Sequence, residues 1–243
     1  MISLYNEILY RPLLNVLVFF YKTIAFEDLG LAIIFMTILI RLLLFPLFHK
    51  SARHQTVMQS LQPRIKKIQE DHKGDKEKQM RATMAVYKEH GVSPFSGFLL
   101  ILIQLPVLIA IYQIFWKSLK PGALEGLYGF IVPPASIGTS FLGLINLGEK
   151  SILMVALAAL AQYFQAKMSL PRVDGGRVLS PAERASRQMV FIGPVITLVI
   201  FYNLPAAISL YWLVATVFSI VQQRIVNKQI ANGKSGTINQ KNN

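Results

Sequence analysis

Leu29-Gly-Leu-Ala-Ile-Ile-Phe-Met-Thr-Ile-Leu-Ile-Arg41-Leu-Leu-Leu-Phe-Pro-Leu-Phe48 decides how the rest of the chain is read. These 20 residues are apolar apart from Thr37 and one charge, Arg41. As a helix they would span about 30 Å, at roughly 1.5 Å per residue, which matches the hydrocarbon core of a bilayer. An arginine inside such a span costs about 2.5–3.5 kcal/mol on insertion scales. It cannot escape that cost by losing its proton. Arg41 must therefore face protein, water or an anionic group. Snorkelling to the interface is the bland alternative, since Phe48 lies about 10 Å further along the axis. An ionisable residue within a span is otherwise a candidate functional site.

Working outward, Thr37 sits one turn before Arg41 on the same helical face. Pro46 cannot donate to the carbonyl of Leu42, so the helix is loosened beside the arginine. Upstream, Leu9, Leu13, Val16, Leu17 and Phe20 form one helical stripe that Asn6, Arg11, Asn15 and Lys22 interrupt. Residues 1–28 thus read as an amphipathic helix in the membrane interface, with a sixth span as the alternative. They show no ordered n-region, apolar run and cleavage site. Either the first span acts as the targeting signal or a leader lies outside this sequence.

Downstream, residues 49–93 are polar and charged. Two helix-forming arms flank Lys73-Gly74-Asp75, with seams at Leu61, Ile65 and Ile68 and at Met80, Met84 and Tyr87. The expectation is a helical hairpin outside the bilayer, ended by Gly91 and Pro94. Further spans are expected at 95–116, 151–168, 188–204 and 206–222. Pro106 and Pro194 should kink their helices, and Asn203-Leu204-Pro205 should turn the chain between the last two. Ala156, Ala158, Ala159 and Ala161 permit close helix contact in the third span. Residues 117–150 have no reliable periodicity, 169–187 form a polar basic loop, and 227–243 read as a flexible basic tail.

The fold class is therefore all-α, a polytopic membrane protein with five transmembrane helices. Residues 29–226 form its core. Hydrophobic residues make up 53% and charged residues only 15%, yet the net charge is +13. Nucleic acid is one reading of that charge, but its distribution argues for topology. Of 25 Lys and Arg residues, 19 lie on 49–94, 167–187 and 223–243, five lie on 1–28 and 117–150, and the last is Arg41. The positive-inside rule places the hairpin and C-terminus in the cytoplasm and the N-terminus outside, in the plasma (inner) membrane. Anionic lipid or ribosome contact is a secondary use of the charge.

Several chemistries find no support. There is no cysteine for a disulfide or thiolate metal site. Gly233-Lys234-Ser235 imitates the end of a phosphate loop, but position 228 is Lys, not Gly, and no strand precedes it. His49, His54, His72 and His90 lack a zinc-protease spacing. No carboxylate lies within a span, so an acid–base pair or proton relay in the membrane is not expected. Enzyme activity, cofactor and metal are all expected to be absent. The intramembrane polar groups are Arg41, Thr37, Gln104, Gln162, Ser209, Tyr211, Trp212 and Ser219. Singly these are helix-packing or interface residues, while together with a buried arginine they would line a wet groove.

The motifs resemble one known family. Ile38-Leu-Ile-Arg41-Leu-Leu-Leu-Phe-Pro46-Leu is similar to the arginine-bearing first core span of YidC/Oxa/Alb-type membrane protein insertases. So are Met58-Gln-Ser-Leu-Gln62-Pro63, Tyr87-Lys-Glu-His-Gly91-Val-Ser-Pro94 and Leu102-Ile-Gln104-Leu-Pro106-Val-Leu-Ile-Ala-Ile-Tyr112 to the segments that follow. Leu142-Gly-Leu-Ile-Asn-Leu147, Leu204-Pro205-Ala-Ala-Ile-Ser-Leu-Tyr211-Trp212 and Val221-Gln222-Gln223 complete the series in order, over about residues 12–226. The resemblance implies a five-helix core around a groove open to cytoplasm and lipid. Arg41 would be its central charge, and Thr37, Gln104, Gln162 and Trp212 would line it or touch substrate. Gln165 is the alternative to Gln162. The implied function is insertion and folding of integral membrane proteins, alone or with the Sec translocon. Nascent membrane proteins, the ribosome and membrane lipids are the other implied partners. The rival readings are a small-solute channel or transporter, and a membrane-embedded enzyme.

Overall fold

The computed structural model describes residues 2–118, 126–170, 184 and 187–240. Most of the expected loop 169–187 lies outside them. The described chain is mostly helical. A short helix α1 (Ile2–Tyr5) passes through a π-helical turn, Asn6–Tyr10, into α2 (Arg11–Thr23). Leu13, Leu14, Leu17, Val18 and Tyr21 of α2 are buried, and the helix packs on α3 (Leu29–Leu43). The stripe read as membrane-facing is thus turned largely toward protein. Asp28 caps α3, its Oδ1 accepting from the Leu31 N–H at 2.9 Å.

The expected span 29–48 is not one straight helix. α3 stops at Leu43, and α4 (Phe45–Ser60) leaves at 69° to it. Pro46 stands in the first turn of α4, where its missing N–H has no helical partner to lose. The turn between them exposes Leu42 and Leu43, at 56% and 70% of their surface.

α4 continues into α5 (Gln62–Asp71), and α6 (Lys76–Glu89) returns alongside it. Gly74, at φ +99°, makes the turn, and the Asp75 carboxylate caps α6 by accepting from the Lys78 N–H at 3.0 Å. This hairpin has a small apolar centre of its own, Leu61, Ile65, Val86 and Val92. The expected second-arm seam needs correcting. Met80 and Met84 are 64% and 44% exposed, and Val86 occupies the inward position. Polar contacts set that rotation. Gln79 Nε2 donates to the free carbonyls of Gln69 and His72 at 3.0 and 2.9 Å, and Arg64 pairs with Glu89 at 2.9 Å. Satisfying the last carbonyls of α5 turns α6 by about one residue, roughly 100°, and the flexible methionines are left outside.

α7 (Ser96–Ser118) carries Pro106 in its interior, and Ser51 Oγ of α4 donates to the Ser96 carbonyl at 2.8 Å. Residues 126–150, which showed no period, are held by side chains from the N-terminal helix. Asn15 accepts from the Tyr128 N–H at 2.7 Å, the Tyr21 hydroxyl accepts from the Gly138 N–H at 2.9 Å, and Asp28 accepts from the Leu142 N–H at 2.5 Å. Within this segment β1 (Ser140–Phe141) pairs antiparallel with β2 (Ile145–Asn146), with Ser140 opposite Asn146.

α8 (Ile152–Met168) is capped by Ser151. α9 (Ile192–Phe201) has Pro194 in its first turn. Residues 202–205 then lead into α10 (Ala206–Gln240). The first N–H groups of α10 donate outward, from Ala206 to the Glu149 carbonyl at 2.7 Å and from Ala207 to the Leu147 carbonyl at 3.1 Å. From 227 on, where a tail was expected, the chain continues α10, with no proline to stop it.

α10 packs on α3, α4, α7 and α8, while α9 packs on α8. The main core joins α2, α3, α7, α8 and α10, with Leu14, Ile33, Met36, Ile111, Val155 and Tyr211 all deeply buried. Among the described residues, one helix, Ala206–Ile230, is long and apolar enough to cross a bilayer alone. The bent α3–α4 pair meets the same measure as a broken span, and Leu102–Trp116, Ile152–Met168 and Arg187–Phe201 are shorter apolar helices.

Candidate functional site

Arg41 is the starting point. It lies in the last turn of α3 with only 7% of its surface exposed. Its guanidinium sits over the Phe48 ring, 4.4 Å from the centroid, across the α3–α4 bend. The bend makes this contact, because a straight helix would carry Phe48 about 10 Å away along the axis. Among the described residues no carboxylate pairs with Arg41, and its buried Nη1 has no hydrogen-bond partner. Thr37, one turn earlier, is fully buried. Its hydroxyl donates back to the Ile33 carbonyl at 2.6 Å, so its polarity is spent within α3.

Tyr211 of α10 lies within electrostatic reach of Arg41. Gln104 Nε2 of α7 donates to the Tyr211 hydroxyl oxygen. Arg41, Tyr211 and Gln104 therefore bring α3, α10 and α7 to one polar cluster. Gln104 and Arg41 were expected together, and Tyr211 is the residue that connects them.

The other two expected residues lie elsewhere in the contact network. Gln162 of α8 accepts from the Thr197 hydroxyl of α9. A Cβ at Gly193 would come within 3.0 Å of Gln162 Nε2, so glycine is what lets α9 approach. Gln165, the alternative, is half-buried, with its backbone carbonyl accepting from Ser169 Oγ at 3.1 Å. Trp212 stacks edge-on with Phe201 at 5.4 Å, and its buried Nε1 has no partner. Ser209 is likewise buried with an unpartnered hydroxyl.

Ser209, Trp212, Thr216, Ser219 and Gln223 recur at steps of three and four on α10. Such spacing puts them on one face of the helix. Ser51, Thr197 and Thr216 are the buried polar residues, among those described, that sequence reading did not single out. The three-and-four spacing would have found Thr216, whereas Thr197 is marked only by its contact with Gln162.

The unpartnered atoms of α3 and α10 share one chemical bias. Arg41 Nη1, Ser209 Oγ and Trp212 Nε1 are donors, each buried without a partner. A buried donor left unpaired costs about 1–3 kcal/mol, so such groups are ordinarily satisfied by protein or water. Donors from a fixed cation and two neutral groups suit a guest that brings acceptors, such as carboxylates or peptide carbonyls. Among the described residues no group of three metal-ligating side chains is assembled.

Comparison with known proteins points to one family. The family model for the 60Kd inner membrane protein matches residues 19–234. The chain is 32% identical over 230 residues to the membrane protein insertase YidC of Rickettsia bellii, covering 91% of this chain and 39% of that protein. It is 30% identical over 223 residues to the membrane protein insertase YidC of Geobacter metallireducens, covering 91% and 37%. A third, the membrane protein insertase YidC of Geotalea daltonii, is 32% identical over 222 residues, covering 90% and 37%. The chain thus spans less than two fifths of the length of these relatives.

Proposed function

The chain belongs to the 60Kd inner membrane protein family, and from that premise we propose that it inserts membrane proteins into the bilayer and helps them fold. The observation that carries this reading is the buried Arg41, which has no carboxylate partner among the described residues and a guanidinium nitrogen without a hydrogen-bond partner. Five helices, over 29–48, 95–116, 151–168, 188–204 and 206–222, cross the bilayer. They enclose a polar groove lined by Arg41, Thr37, Gln104 and Trp212, with Gln162 in its α8–α9 wall. The N-terminus is outside and the C-terminus in the cytoplasm, as the basic residues are distributed.

In this mechanism the groove shortens the apolar barrier that a polar tail must cross. Arg41 draws an acidic tail in, and the unpaired donors of α10 donate to its carbonyls for a time. Release follows when the substrate's apolar helix partitions into lipid, at roughly 25 cal/mol per Å² of apolar surface. No nucleotide or covalent step is required of this chain. The hairpin at 49–93 receives the nascent protein, delivered by the ribosome or passed on with the Sec translocon.

The test uses liposomes holding the purified chain and two single-span substrates that differ only in tail charge. Arg41→Ala at equal folded protein should abolish insertion of the acidic-tailed substrate and spare the neutral one. Equal loss of both would overturn the electrostatic role of Arg41. Solute flux without insertion would overturn the insertase reading in favour of a channel.

A further inference from the structure

Below the α3–α4 elbow lies an open cavity of about 620 Å³ that takes no part in the Arg41 cluster. Phe45, Pro46, Val57 and Val92 form its apolar wall. Lys50, Arg53, His49, His54 and His90 line it as well. Among the described residues no carboxylate lines it. Elsewhere on the hairpin Arg64, Lys66, Lys78 and Arg81 each have an acidic partner. Among the described residues Lys50 and Arg53 have none.

The histidines add less to that charge than their number suggests, because two of them spend the ring proton inside the protein. His49 Nε2 donates to Gln229 Oε1 of α10 at 3.1 Å, which assigns its proton to that nitrogen. The Nδ1 atoms of His49 and His54 are buried without partners. His90 Nδ1 lies 2.9 Å from the Val86 carbonyl, which only accepts, so Nδ1 carries that ring's proton. The cavity therefore holds two fixed cations, Lys50 and Arg53, with no carboxylate among the described residues to neutralise them. That balance favours an anion with several acceptor oxygens.

We infer that this cavity binds a phosphate group, and that its occupant is the headgroup of an anionic phospholipid. Two features favour lipid over a free ion. A bare phosphate has no use for the wall of Phe45, Pro46, Val57 and Val92, whereas a glycerol backbone and the start of an acyl chain would cover it. The cavity also sits where the apolar α3 gives way to the charged α4, and the exposed Leu42 and Leu43 continue the apolar path beside it. Headgroups lie at that depth if α3 is in the bilayer, so the inference rests on the membrane placement proposed above. A lipid held there would anchor the elbow while leaving Arg41 free for substrate.

The full chain is reconstituted in phosphatidylcholine vesicles containing about one fifth phosphatidylglycerol, and native mass spectrometry identifies the lipids that stay bound. The chain should retain phosphatidylglycerol in preference to phosphatidylcholine. Lys50→Gln with Arg53→Gln should lower that preference about tenfold or more, since each basic residue near an anionic surface is worth about 1 kcal/mol. Lys66→Gln with Arg81→Gln removes equal charge away from the cavity and should leave it unchanged. Lys50→Arg with Arg53→Lys should keep it. Equal loss in both glutamine pairs, or no loss in the first, overturns the site. Inorganic phosphate that displaces the lipid, and binds as tightly in detergent alone, overturns the lipid as occupant. A chain that fails to float with the vesicles overturns the membrane placement as well, while one that floats without lipid preference overturns the cavity alone.

Discussion

At the scale of single residues, Arg41 and Gly30 show how one side chain, or its absence, sets local design. Arg41 is buried over Phe48 with an unpaired nitrogen, so its charge is available and not consumed by an ion pair. Arg41→Lys should retain much of the insertion of acidic-tailed substrates, because an ammonium still attracts carboxylates without the bidentate fork. Arg41→Glu should be worse than Arg41→Ala for those substrates, since like charges repel in a poorly screened groove. Insertion measured against tail charge, at equal folded protein, checks this order. Gly30 is a packing residue that sequence reading passed over. A Cβ there would lie 2.0 Å from the Phe141 ring, so the β1–β2 hairpin sits directly on the α3 backbone. Gly30→Ala should push Phe141 away and cost about 1–3 kcal/mol. A thermal melt of the purified variant measures it, and an unchanged midpoint would show that the ring moves aside freely.

At the scale of elements, the hairpin and the short helices behave differently from the core. The hairpin buries few apolar residues, and its charged surface is held by local pairs. Its amides should exchange faster than those of α3 and α10. It is also acid-sensitive in a definite direction. The Lys78 N–H and ammonium hold the Asp75 carboxyl below the usual carboxylate range, and hydrogen bonding from Arg64 does the same for Glu89. Groups with lowered folded values contribute stability above their unfolded pKa, about 4, and lose it as pH falls through the lowered values. The Lys78 amide resonance should therefore stay fixed from neutrality down to about pH 4 and move only below it. A shift centred near neutrality would point instead to the hairpin histidines. α9 is the other distinctive element. With the preceding turn it forms an apolar helical run, Arg187–Phe201, of roughly 22 Å, still short of a bilayer core. Lipid around it should thin. Scattering or cryo-imaging of the reconstituted chain would show the thinning, and a full-thickness bilayer at α9 would exclude it.

At the scale of the whole molecule, the proposed orientation rests on where the basic residues lie. The structure also improves the positions used to test it. Gly74 and Gly126 are poor sites for labelling cysteines, because both have left-handed φ, +99° and +111°, that a side chain would strain. Lys73→Cys and Lys228→Cys are exposed and free of that strain, as is Gly129→Cys, whose Cβ would meet nothing within 4 Å. In intact cells an impermeant thiol reagent should label Cys at 129 and miss those at 73 and 228. Labelling at 73 would reverse the orientation.

What the sequence determined by itself was local in origin. The apolar run with Arg41 and Pro46, the break at Gly74, the Ser151 cap of α8 and the turn at Asn203-Leu204-Pro205 each depend on neighbours a few residues away. So did much of the candidate cluster, because a charge or amide inside an apolar run is conspicuous without knowing its partner. Tertiary structure decided which face meets which neighbour. Helical periodicity shows that α6 has an apolar stripe, but of Met80, Met84 and Tyr87 only Tyr87 packs against the hairpin's centre, while Val86 supplies the buried contact and the methionines stay exposed. It shows Asn15 as an interruption, but only the returning loop makes it a buried clamp on residues 126–128. It lists Gln104 and Tyr211 as separate polar residues, and only the packing of α7 against α10 joins them beside Arg41. Burial of an apolar face is rewarded by any apolar neighbour, so its direction cannot be read along the chain. A hydrogen bond needs one partner at one distance, and that pairing exists only once the helices are in place.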